Sequence, residues 1–416
     1  MTEQLEQNEG DVADARRRWI APMWVAAIAV ACVGLNLRPG ITAVAPVLDQ
    51  ARAQLGVSST VAGLITTTPL LCFVLLSSRV PKAARRWGLE RTVMAAMGVL
   101  ALGFAVRMLP GIVALFVGMV LIGVGIVGGN ILLPTVIKRD YPHQSGGLLA
   151  IYTASLFVGP ALAAGLTMPI QHAFDLDWRA AISTWGLLVV VGAVSWLPML
   201  RSRAAAPDVA TPTPPERVTA AVPGLWRMPL AWAVTLYFAA NSLVFYTVSA
   251  WLPDILVAGG VSKSVASLAL SLTSMVALVP ALLVAVLAPR GRHQLWVTVP
   301  GATVTGVGLL GMMIAPGTVT LLWVAILGVG IGVTSGIAFS LPVLRARAHG
   351  STAELNGMAQ TVGYAMSASG PVLAGFLHDL TGGWTALLAV LVGVAAIQAI
   401  CGRRAGADAY VDAMAR

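Results

Sequence analysis

The sequence predicts an all-α membrane protein of twelve transmembrane helices in two pseudo-symmetric six-helix bundles. Three observations predict it. The 416 residues are 57% hydrophobic and 10% charged, with a mean hydropathy of +0.84, where soluble domains are about 45–50% apolar and about 25% charged. Stretches of the roughly 20 apolar residues that a membrane helix needs follow one another from Ile20 almost to the end, parted only by short polar seams. Motifs of the first half recur in the same order in the second. A soluble multidomain protein is excluded.

Taken between charged or Pro/Gly-rich seams, the first six helices are Ile20–Leu48, Ser58–Val80, Thr92–Val106, Ile112–Ile137, Gly147–Ile170 and Ala180–Leu200. The second six are Leu230–Leu252, Val265–Leu287, Leu295–Ala315, Val319–Val343, Leu355–Leu377 and Trp384–Cys401. Between the sets lies a seam with Ala-Ala-Ala-Pro and Thr-Pro-Thr-Pro-Pro, the composition of a flexible linker. The expected organisation is a tail at 1–19, a first bundle at 20–200, a linker at 201–228, a second bundle at 229–402 and a tail at 403–416. Cys32, Cys72 and Cys401 all lie in apolar runs, with neither a disulfide framework nor metal-ligand spacing.

Orientation follows from the basic residues, because short loops rich in Lys and Arg stay in the cytoplasm. Every Lys and Arg falls on the side of the two termini and the linker except Arg52, Arg107, Arg179 and Lys263 on the other side and Arg38 within a span. Both termini are expected in the cytoplasm, in an inner (plasma) membrane. The net charge of +9 is then a topological signal and not a nucleic-acid footprint.

The repeat is carried by several pairs. Gly56-Val57-Ser58 before helix 2 matches Gly260-Val261-Ser262 before helix 8, and Gly159-Pro160 in helix 5 matches Gly370-Pro371 in helix 11. His172 with Trp178 matches His378 with Trp384, and Pro46 matches Pro253. Each half begins on the same side with an even number of helices, so the repeats are parallel, an arrangement in which the solute site lies between the halves near the midplane. Gly159, Pro160, Gly370 and Pro371 are expected to act as paired bends at the interface between the halves. Glycines 125 and 129 of helix 4, and 328, 332 and 336 of helix 10, have the spacing that lets helices approach closely.

A charge within a span is costly unless it is paired or lines a cavity. Arg38 is the cation to explain, a short distance past the middle of helix 1 and followed directly by Pro39 and Gly40, which weaken the helix there. Two readings stand open: the side chain snorkels or pairs with a helix-end carboxylate such as Asp49 or Asp254, or it faces a central cavity. No Asp or Glu falls mid-span, which suits an anionic or strongly dipolar solute better than a cationic one. The further polar candidates for solute binding are Asn36 and Thr42 in helix 1, Asn130 in helix 4, Tyr152 in helix 5, Tyr237, Asn241 and Tyr246 in helix 7, and Gln360 and Tyr364 in helix 11, with Thr334 and Ser335 in helix 10. For each, an interhelical hydrogen bond is the alternative. No hydrolase, kinase or metal signature is present, so neither an enzyme nor a cofactor is expected.

The stretch Gly34-Leu35-Asn36-Leu37-Arg38-Pro39-Gly40-Ile41-Thr42-Ala43-Val44-Ala45-Pro46 resembles the helix 1 signature of the cyanate and nitroimidazole transporter family (CynX/NimT) of the major facilitator superfamily. Leu133-Pro134-Thr135-Val136-Ile137-Lys138-Arg139 and Ala250-Trp251-Leu252-Pro253 are similar to that family as well. The resemblance implies the major facilitator fold and a secondary transporter of a small solute, a cyanate-like anion or a nitroimidazole-like compound, working without ATP; a monomer is expected. Efflux of drugs or toxic compounds, or a membrane-embedded sensor or scaffold, are the rival functions. In the loop between helices 2 and 3, Arg85, Arg86 and Gly88 fit the superfamily's conformational motif, but Ala84 stands near the expected acid.

Overall fold

Proline and glycine positions explain most of the helix boundaries and the main irregularity of the chain. The computed structural model describes residues 21–77, 79–204, 224–315, 317, 319–346 and 349–411. The expected N-terminal tail, residues 205–223 of the linker and residues 412–416 lie outside them. The first half comprises α1 (Met23–Leu35), α2 (Ser59–Leu76), α3 (Leu89–Val106), α4 (Ile112–Asp140), α5 (Ser145–Ala173) and α6 (Gly186–Ala204). The second comprises α7 (Pro229–Ala258), α8 (Lys263–Leu287), α9 (Leu295–Ile314), α10 (Thr320–Leu344), α11 (His349–Thr381) and α12 (Thr385–Ala405).

Eleven helical stretches among the described residues are long and apolar enough to cross a bilayer. The remaining long helix, α11, has 33 residues, about 50 Å at about 1.5 Å per residue, but its apolar character is diluted by Asn356, Gln360, Ser367 and Ser369. Prolines inside α2, α4, α5, α7, α8, α9, α10 and α11 do not end those helices. Packed neighbouring helices can accommodate the backbone groups that proline frees.

Helix 1 is the exception. The expected continuous span is interrupted after Leu35 and resumes as the short helical pieces Pro39–Thr42, Ala45–Val47 and Leu48–Leu55. Pro39 has no N–H to offer Leu35, and the backbone between them turns. The expected helix 6 is likewise divided, into Trp178–Ser183 and α6, and an eight-residue helix, Val80–Trp87, stands in the basic seam between α2 and α3.

The two halves repeat the same packing. In the first, α1 packs on α5 and α6, α3 on α4 and α6, and α2 on α4; in the second, α7 packs on α11 and α12, α9 on α10 and α12, and α8 on α10. The halves meet through α2 with α11 and through α5 with α8, two contacts that are images of one another. The sequence repeat before α2 and α8 is one device used twice. Gly56 (φ 63°) and Gly260 (φ 89°) take the left-handed backbone that glycine tolerates, and Ser58 and Ser262 then accept from the N–H of Val61 and Val265, each at 3.4 Å. Glycines 328, 332 and 336 lie together against α8, whereas Gly125 faces α3 and Gly129 faces Leu37.

The starts of α1 and α7 and the ends of α6 and α12 share one end of the molecule, here the basic end. There Tyr141 donates to Ala21 O (2.7 Å), and Arg345 donates to Ala405 O (2.6 Å). The other end is drawn shut. Asp379 on α11 accepts from Ser59 N (3.1 Å), Thr60 N (2.8 Å) and Thr60 Oγ1 (2.6 Å), capping α2 from the opposite half. Lys263 meets Asp49 at 3.1 Å, and Ser267 on α8 donates to Ala164 O on α5 (2.5 Å). Gly375 and Gly63 lack the Cβ that would strike Ser59 O and Pro371 O, so the α2 and α11 backbones touch.

Candidate functional site

The interruption of α1 sets the site. Arg38 occupies the turn after Leu35, at the N-cap of Pro39–Thr42, and its guanidinium crosses to the other half, 4.4 Å from the centroid of the Phe245 ring on α7. Phe157 on α5 lies at 6.0 Å. Both fall within the range at which a cation is attracted to an aromatic face. No ion pair and no side-chain hydrogen bond of Arg38 occurs among the described residues, so the cation is held by ring faces with its donors unspent. Thr42, one turn on, donates to Arg38 O (3.2 Å), which also receives Ile41 N and Thr42 N.

Around Arg38 stand three of the tyrosines expected from the sequence. They are Tyr152, Tyr246 and Tyr364. Tyr152 donates to Asn130 Oδ1 (3.0 Å), while Asn130 donates to Ile126 O (3.0 Å). Tyr246 packs edge-on against Phe245, with centroids 5.2 Å apart, and lies 6.4 Å from Tyr364. Tyr364 stacks on Phe73 of α2 at 4.5 Å, across the halves, and meets Phe238 edge-on at 5.7 Å. Gln360, one turn before Tyr364, donates to Asn356 Oδ1 (3.2 Å). The result is one guanidinium among phenol and phenyl rings drawn from both halves.

Other candidates serve the packing. Asn36 is 1% exposed and donates to Cys32 O (2.7 Å) and Leu188 O (2.9 Å), tying α1 to α6. Tyr237 is fully buried inside the second half, donating to Thr298 O at 3.1 Å. Asn241 accepts from Ser335 at 3.2 Å, and Thr334 donates to Gly330 O within its own helix (2.9 Å). Gly159 lets α5 close on Leu35 O and Gly370 lets α11 close on Thr247 Oγ1, each inside its own half. Pro371 faces Gly63 across the halves, and its carbonyl accepts from Trp251 (2.9 Å). Arg85 and Arg86 are exposed. The acid at the basic end of α3 is Glu90, which pairs with Arg139 at the end of α4. His378 shares a hydrogen bond with Ser59 (3.1 Å) and lies against Trp384, so it belongs to the closure and not to the central site.

Sequence reasoning missed Phe245, Phe157 and Phe73, which no pattern separates from core phenylalanines. It also placed Arg107 in a loop, where the structure buries it completely. Its Nη1 donates to Gly40 O (2.9 Å) and its Nη2 to Ile182 O, with the guanidinium 4.3 Å from the Phe104 ring centroid. No ion pair of this side chain occurs among the described residues, and nothing in the sequence marked it as buried.

Two parallel six-helix repeats, joined at one end and enclosing a charged and aromatic site between them, define a membrane transporter of small solutes. Residues 25–368 match the Major Facilitator Superfamily model, and the chain belongs to that superfamily, whose members here are transporters and not enzymes. It is 36% identical over 377 residues to a 2-nitroimidazole transporter of Escherichia coli (strain K12), covering 90% of this chain and 94% of that one. It is 27% identical over 358 residues to the cyanate transport protein CynX of the same organism, covering 85% and 89%. Among solved structures, the inward open conformation of the E. coli xylose transporter XylE superposes with a TM-score of 0.72 over 92% of this chain and 96% of that one, at 11% identity. That likeness is one of fold.

Proposed function

We propose that this protein moves a small, planar, anionic or nitro-bearing solute across the inner membrane as a monomer, by rocking its two halves about the Arg38 site. The observation that carries the proposal is the Arg38 guanidinium, placed between the halves against Phe245 with no carboxylate to neutralise it among the described residues. A planar fork of unspent donors suits a carboxylate-like or nitro-like group, and neighbouring aromatic faces suit a flat solute body. The absence of a mid-span carboxylate in the sequence favours the same charge sign. The names of the relatives supply the probes, cyanate and 2-nitroimidazole.

With the basic end in the cytoplasm, as the distribution of Lys and Arg favours, the shut end faces outward and the described conformation is the inward-facing half of an alternating-access cycle. Flux of each probe into proteoliposomes is the test. Arg38→Ala should abolish flux in protein that still folds, and Arg38→Lys, which keeps the charge but loses the fork, should leave a small remainder. Normal flux in well-folded Arg38→Ala would remove Arg38 from the site and the anion-selective reading with it.

A further inference from the structure

The interruption that carries Arg38 leaves carbonyls without helical donors, and their new partners form a pattern. Val44 N, which a continuous helix would direct to Gly40 O, bonds to Ile41 O instead (3.3 Å), and Gly40 O is taken by Arg107 (2.9 Å). Ile182 stands just before the division that precedes α6, where Leu187 N turns back to Thr184 O (2.9 Å); Ile182 O is taken by the same guanidinium. One fully buried arginine therefore serves two carbonyls freed by two separate helix interruptions. On the other shoulder, Asn36 bonds to Leu188 O, just past that division on α6. Arg38 sits midway, with Asn36 two residues before it and Gly40 two residues after, and both shoulders are fastened to the same neighbouring segment.

We infer that Arg107 and Asn36 are positioning residues that aim Arg38 at the solute, through a two-point attachment of the interrupted α1 to the segment 182–188. The inference rests on the proposal that Arg38 contacts the solute. Rotation of the turn about either shoulder would swing the guanidinium away from Phe245, so both attachments are needed to fix its direction. A residue that merely stabilised the first half would act equally with or without Arg38. A positioning residue acts only through it.

The test is a mutant cycle on the full chain in detergent, with cyanate and 2-nitroimidazole as probes, binding read by calorimetry and folding by Tm. Arg107→Lys retains the charge but cannot span both carbonyls. Losing one charge-assisted bond should raise the Kd for cyanate roughly tenfold or more, whereas in an Arg38→Lys background the same change should cost less than about twofold. An equal factor in both backgrounds would overturn the inference. Where Arg107→Lys fails to fold, Asn36→Ala is put through the same two backgrounds and judged by the same criterion. A separate arm needs no solute: with Cys32, Cys72 and Cys401 replaced, the reaction rate of Arg38→Cys with a charged methanethiosulfonate should change several-fold when Arg107→Lys is added, and an unchanged rate counts against positioning. Failure of the functional reading looks different, since wild-type affinity in Arg38→Lys and Arg38→Ala would remove the anion site before Arg107 is touched.

Discussion

Replacing Asp379 by Ala tests what holds the shut end. Its carboxylate makes three bonds to the first turn of α2, all across the halves, so their loss penalises the closed interface and spares the interior of either bundle. Removing a capping side chain costs about 0.5–2 kcal/mol. Asp379 is exposed, so solvent screens part of its charge and a value near 1 kcal/mol is expected, a roughly fivefold change in a two-state population. The Lys263–Asp49 pair offers an internal comparison. Both side chains are more than half exposed, at 55% and 53%, and such pairs contribute about 0–1 kcal/mol, so Lys263→Ala should shift the population less. The assay is pulsed electron–electron distance measurement between spin labels at the exposed positions Phe174, after α5, and Ser264, in the first turn of α8, with the three natural cysteines replaced. The long-distance population should rise about fivefold in Asp379→Ala. No shift in Asp379→Ala, or an equal one in Lys263→Ala, would refute the cap as the fastening.

Reporter fusions at Pro214 and after Arg416 should both lie on the cytoplasmic side; finding either outside would reverse the orientation and the assignment of the shut end. Gly63→Val and Gly375→Val place side chains against the backbone at Pro371 and Ser59, so both should hold the shut end apart and slow flux. Gly98→Ala on α3, with nothing near its Cβ, should leave flux and Tm as they are. Changing Pro160 and Pro371 together to Ala should slow flux while probe binding persists, because both stand in helices that run through without ending; unchanged flux would make them packing features.

Apolar length and the placement of Lys and Arg made the spans legible, and the recurring Gly-Val-Ser motif marked a real device, since the same left-handed glycine and serine cap open α2 and α8. Arg38 was legible for a different reason: a lone cation in an apolar run has few physical explanations. What stayed hidden was rotation about each helix axis. Asn36 and Tyr237 look like site residues in the sequence as much as Tyr152 or Tyr364 do, because all are polar groups mid-span; only packing turns Asn36 to α6 and Tyr237 to Thr298. Arg107 was hidden by the opposite error. It follows an apolar helix, so it reads as a loop cation, and the carbonyls that bury it belong to segments far away in the chain.

The halves also differ where their likeness would suggest identity. Arg38 stands eight residues before Pro46, and Phe245 stands eight residues before Pro253. The two side chains that meet at 4.4 Å are therefore counterparts in the repeat. Counterparts of a two-fold repeat can touch only close to the axis that relates them, which places this contact at the centre of the molecule. Two arginines there would repel one another, and two phenylalanines would recognise no charge. The first half keeps Arg38 with Pro39 and Gly40 and interrupts its helix, while the second keeps α7 unbroken for 30 residues and lines it with Phe238, Phe245 and Tyr246. Divergence at this pair, beneath shared caps and shared packing, gives a symmetric frame an asymmetric centre, with the charge supplied by one half and most of the rings by the other.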